Sequence, residues 1–195
     1  MSQSQVLAHH EDSSKTLFGF WVYIMTDCVL FATLFATFAV LRNNTSGGAP
    51  GSELFSLPSV LAETIVLLVS SFTCGLAMLA AHKANKNQVL FWFAVTAILG
   101  LAFLTLEITE FKHLVHEGNS WRRSGFLSSF FTLVGTHGLH ITAGLLWIGI
   151  MMFRLVKYGL TPATARKLTM LSLFWHFLDI VWIFIFSIVY MLGAV

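Results

Sequence analysis

The sequence predicts an all-α, polytopic membrane protein, a bundle of five transmembrane helices, and three observations carry that prediction. Hydrophobic residues make up 56% of the 195 and charged residues only 10%, where a soluble domain carries about a quarter charged. The apolar residues fall into five blocks, each longer than the roughly 20 residues a helix needs to cross hydrocarbon. None of the blocks alternates with period two, which removes a strand reading. The net charge of +2, with basic residues spread over the connections, excludes a nucleic-acid partner.

Residues 1–16 form a polar tail containing His9, His10, Glu11 and Asp12. It lacks the basic n-region and small-residue cleavage site of a removable signal, so the first span is read as an uncleaved insertion signal. The spans follow at about 17–41, 58–82, 88–111, 126–153 and 168–195, making residues 17–195 one membrane domain. The first loop, 42–57, holds Gly47, Gly48, Pro50 and Gly51 with little apolar material, which suits an irregular surface connection. Cys28 and Cys74 lie inside apolar blocks without zinc-type spacing and are read as free buried thiols.

Lys15, Lys83, Lys86, Arg154, Lys157, Arg166 and Lys167 lie on one side of the predicted bundle, and Arg42, Lys112, Arg122 and Arg123 on the other. Seven against four places the N-terminus in the cytoplasm and the C-terminus outside, because cytoplasmic loops carry the positive excess. Trp21 and Trp92 near the inner ends and Trp121 near an outer end fit interfacial anchoring. Ser71 with Gly75, and Gly135, Gly138 and Gly144 in the fourth span, are expected to admit close helix neighbours.

Of the nine acidic residues, Asp27, Glu63, Glu107, Glu110 and Asp179 fall within the spans, where an ionised side chain costs roughly 2.5 to 3.5 kcal/mol or more. Counting at about 1.5 Å per residue puts Asp27, His137, His140, His176 and Asp179 in a central layer. Glu63, Glu107 and Glu110 form an outer layer beside the outer cations. The pairs Glu107 and Glu110, His137 and His140, and His176 and Asp179 are each spaced i,i+3, so each shares one helix face.

Metal ligation by the central histidines is weighed against interhelical hydrogen bonding. The second is preferred, because two imidazoles on one short segment do not oppose each other across a bundle as haem requires. Asp27 fits either proton transfer or lipid-headgroup contact, or a protonated acid bonded to a neighbouring helix. The outer glutamates are expected to pair with the outer cations.

Several strings together resemble one family, subunit III of the haem-copper respiratory oxidases. Trp175, His176, Phe177, Leu178, Asp179, Ile180, Val181 and Trp182 are similar to its WHFxDxVW signature. Gly135 to His140 resembles its GxHGLH segment, and Glu107 with Glu110 its ExxE pair. Asp27 stands where the family usually has a buried glutamate. The resemblance runs from about residue 17 to 195, without the two N-terminal helices of the seven-helix form; the five-helix form resembles the quinol-oxidising, cytochrome bo type.

The resemblance implies a chain with no catalytic centre, haem, copper or other metal of its own. It implies a bacterial inner-membrane complex whose catalytic subunit I carries haem and copper, reduces dioxygen to water and pumps protons. This chain would support assembly, stability and proton uptake, and bound phospholipid is a further expectation. Alternatives are subunit III of a cytochrome c oxidase or a subunit III-like protein associated with nitric oxide reduction. A stand-alone transporter is disfavoured, because five uninterrupted spans show neither inverted repeats nor broken helices.

Overall fold

The computed structural model describes residues 3–45 and 57–191, with side chains from residue 15 onward. Among the described residues five helices follow one another: α1 (Gln3–Leu41), α2 (Leu57–His82), α3 (Lys86–His116), α4 (Gly125–Tyr158) and α5 (Pro162–Ile185). The last continues into a wider π-helical segment, Phe186–Met191. No strand occurs among the described residues. All five contain a stretch long and apolar enough to cross a membrane. Gly47, Gly48, Pro50 and Gly51 of the first loop lie outside the described residues.

The helix ends follow local chemistry, and each helix begins before its expected span, α1 at Gln3 and α5 at Pro162 by the widest margins. α3 starts where the Asn85 side chain accepts from Gln88 N–H, and α4 where Ser124 accepts from Leu127 N–H at 3.2 Å. α5 begins six residues before the expected span, because Thr161 caps Thr164 N–H at 3.2 Å and Pro162 occupies the first turn. Arg166 and Lys167 therefore sit on the helix, where long side chains reach the interface. α3 runs on past Phe111 to His116 and stops beside Gly118, whose φ of 82° is a conformation glycine adopts freely.

Short connections set the neighbours. Three residues, Lys83 to Asn85, separate α2 from α3, and these two form the most extensive helix pair. α4 packs against α3, α5 and α1, while α5 also packs against α2 and α1. The order around the bundle is thus α1, α4, α3, α2, α5, with α4 and α5 also meeting across its middle. Asn44 O accepts from Phe126 N–H at 3.2 Å, tying the end of α1 to the start of α4. Trp175, Trp182, Phe103, Phe130 and Tyr190 are among the largest fully buried side chains, so the core lies around α5.

The glycines act on side chains rather than backbones. A Cβ on Gly100 would come within 2.8 Å of the Trp175 ring, and one on Gly144 within 3.0 Å of the same ring. Two helices therefore give up a side chain to seat one indole. A Cβ on Gly138 would meet the Glu107 carboxyl at 2.8 Å, and Gly135 has only ordinary contact with Phe111. Gly75 departs from expectation. Nothing lies within 4 Å of its Cβ position, so Gly75 opens outward, while Ser71, one turn before it, meets α5.

Candidate functional site

The intramembrane polar residues separate into three groups and one isolated imidazole. The first lies between α1 and α4. Asp27, one turn beyond Tyr23, points its carboxyl at His140 across an Nε2 to Oδ1 distance of 3.7 Å. The Tyr23 hydroxyl faces the same carboxyl. His140 Nδ1 lies 2.8 Å from Thr136 O on its own helix, which orients the ring toward Asp27. Phe31 covers the pair, with its ring 5.2 Å from the His140 ring.

The second group bridges α2 and α5. Ser71 Oγ and His176 Nδ1 are 2.6 Å apart, and the Asp179 carboxyl faces the same hydroxyl. The i,i+3 pair thus shares one face and meets one hydroxyl of a neighbouring helix. Asp179 is 8% exposed, and its Oδ1 finds no hydrogen-bond partner in the structure. His176, Asp179, Ser71 and Gly75 line a groove of about 420 Å³.

The third group corrects an expectation. Glu63 of α2 and Glu107 and Glu110 of α3 gather with Tyr190 of the π-helical segment, whose hydroxyl faces Glu110. Glu63 and Glu107 are buried, and one oxygen of each of the three carboxyls has no hydrogen-bond partner. Among the described residues no ion pair joins them to Arg42, Lys112, Arg122 or Arg123. Those cations belong to the ends of the helices and the loops, whereas the carboxyls face the bundle. Arg123 instead donates to Asn119 Oδ1 at 2.9 Å, within its own loop.

His137 stands apart. It is fully buried, its ring stacks on Trp182 at 5.3 Å, and Phe103 meets it edge-on at 6.0 Å. Neither ring nitrogen has a hydrogen-bond partner in the structure. The central layer expected from the sequence is therefore divided: His176 and Asp179 face α2, while Asp27, His137 and His140 lie toward α1 and α4. Among the described residues no three His, Cys, Asp or Glu side chains converge as metal ligands.

Sequence reasoning missed a ladder of polar contacts along α2 and α5. Trp182 Nε1 donates to Thr64 Oγ1 at 3.1 Å, and Trp175 Nε1 donates to Ser70 Oγ at 3.2 Å. Cys74 Sγ lies 3.6 Å from Ser172 Oγ. Ser70 passes the chain on to α3 by donating to Thr96 O at 3.1 Å. Half of the signal was present: Trp175 and Trp182 are seven residues apart, which puts both on one helix face, whereas their partners Thr64 and Ser70 are six apart and share no such spacing. Cys74 is buried and free as expected, while Cys28, also free, is exposed on α1.

Comparison with known proteins adds an independent finding. Residues 2–194 match the family described as cytochrome c oxidase subunit III. The cytochrome bo(3) ubiquinol oxidase subunit 3 of Pseudomonas aeruginosa is 57% identical over 95% of this chain and 88% of its own length. The quinol oxidase subunit 3 of Bacillus subtilis is 48% identical over 94% of this chain and 90% of its own. A cytochrome c oxidase subunit 3 from a Bacillus strain is 46% identical over 95% of this chain and 89% of its own.

Proposed function

The chain belongs to the cytochrome c oxidase subunit III family, and from that membership we propose that it is the non-catalytic third subunit of a haem-copper quinol oxidase. The carrying observation is the 57% identity to a ubiquinol oxidase subunit over nearly the whole chain. As such it is a membrane-embedded part of an oxidoreductase complex and assembles with other oxidase subunits. Catalytic subunit I, with its haem and copper, is the partner this reading requires. The location is the bacterial inner membrane, with the polar tail 1–16 in the cytoplasm, supported by the seven-to-four cation bias.

The residues of this chain hold structure and contact rather than chemistry. Asp27 with His140 forms a polar pair against the Phe31 ring, suited to modulation of proton uptake; at this mid-membrane depth a bound phospholipid would meet it with its tails. His176 and Asp179 tie α5 to α2 through Ser71. Glu63, Glu107 and Glu110 join α2, α3 and the end of α5. The deciding experiment is purification of the tagged chain in mild detergent, with a haem spectrum, subunit identification and oxygen consumption. A haem-bearing subunit that co-purifies and turns over with quinol is expected. Turnover with reduced cytochrome c alone would move the chain to the cytochrome c branch, to which its 46% identical relative belongs.

A further inference from the structure

We infer that the groove between α2 and α5 receives a transmembrane helix of another subunit of the oxidase, which sets a hydrogen-bond-donating side chain against Asp179. The inference rests on the chain being an oxidase subunit, and it adds the docking face. Asp179 lies 17 residues into the 30-residue span Pro162–Met191, so about 18 Å of helix separates it from the outer end. At that depth lipid supplies only tails, which cannot donate to the unpartnered Oδ1, and an unmet polar atom in hydrocarbon is costly. A phospholipid headgroup stays at the interface, out of reach.

The groove also has the shape for a helix. Its floor is Ser71 and Gly75, one turn apart, and the space over Gly75 is open; small residues at this spacing let a second helix approach closely. Leu68, Phe72 and Leu79 form its apolar wall. From Leu68 to Leu79 the groove runs about 16 Å, or three helical turns. A second groove, on α1 around Ala36 and Thr37, lacks this demand. The Thr37 hydroxyl already donates to Thr33 O at 2.8 Å.

The test uses the whole complex purified in mild detergent. Gly75→Leu projects a side chain into the groove from a position whose Cβ meets nothing within 4 Å, and Gly149→Leu adds the same side chain at another such position. With equal amounts of chain in the membrane, Gly75→Leu is expected to lower retention of this subunit by roughly tenfold, as overpacking of a close interface does, while Gly149→Leu stays at the parental level. A photo-crosslinking benzoylphenylalanine at Phe72 should form an adduct with an identified transmembrane segment of another oxidase subunit. Parental retention of Gly75→Leu overturns the proposal. So does an adduct only with phospholipid or with a second copy of this chain. If the parent chain itself fails to co-purify with a haem-bearing subunit, the reading as an oxidase subunit falls and the docking proposal with it; if the parent co-purifies, the docking proposal stands or falls alone.

Discussion

His137 is an imidazole with aromatic neighbours and no hydrogen-bond partner in the structure. A polar ring in such a place is held by packing, so an apolar ring of similar size should serve. His137→Phe is expected to change stability by less than about 1.5 kcal/mol, read as thermal inactivation of the purified complex. A large loss, or loss of a bound metal, would show that the imidazole nitrogens are in use. Asp27 presents a different case, because its carboxyl faces the His140 ring at 3.7 Å and the Tyr23 hydroxyl. Asp27→Asn keeps size and hydrogen bonding without the charge. It is expected to assemble normally and retain oxygen reduction, with any change confined to proton uptake or bound lipid. Abolished oxygen reduction in a fully assembled complex would make Asp27 essential to turnover.

α5 gains its position from two indoles seven residues apart, each donating to a hydroxyl of α2. Hydrophobic burial cannot fix the register of a helix against its neighbour in lipid, since tails are as apolar as leucine. Directional bonds and close fit supply that register. Trp182→Phe removes the donor to Thr64 and part of the ring volume, for an expected loss of about 1–2 kcal/mol. The Thr64 hydroxyl stays bonded to Val60 O, which limits the loss. Gly100→Ala should do as much or more, about 1–3 kcal/mol, because its Cβ would press into the buried Trp175 ring. Gly149→Ala, facing open space, is the comparison; equal melting temperatures for the two alanine variants would refute the seat described for Trp175.

At the scale of the whole molecule the same α5 faces both its own bundle and, through Asp179, the groove it forms with α2. Asp179→Leu should therefore reduce attachment of this subunit in a graded way, while activity per assembled complex is kept. Single interhelical bonds in membranes average only about 0.6 kcal/mol, so complete loss is not expected. Full attachment with lost activity would place the pair His176 and Asp179 on a proton path. The isolated subunit is expected to hold no stoichiometric haem, copper or iron, which metal analysis of the purified chain decides. One metal per chain, lost in His137→Ala or His140→Ala, would contradict the packing roles of those histidines.

The number and kind of elements were legible in the sequence because a bilayer imposes length and apolarity on each span separately, a local demand. The i,i+3 pairs were legible for the same reason, since spacing along one helix decides a shared face. Which residue of another helix meets that face is a tertiary matter. The three glutamates turned to one another and to Tyr190 instead of the outer cations, and the central layer divided between α2 on one side and α1 with α4 on the other. Gly75 opened onto a groove while Gly100 and Gly144 closed on one indole. Those outcomes depend on helix rotation and close fit, which a pattern of apolar residues surrounded by equally apolar lipid does not specify.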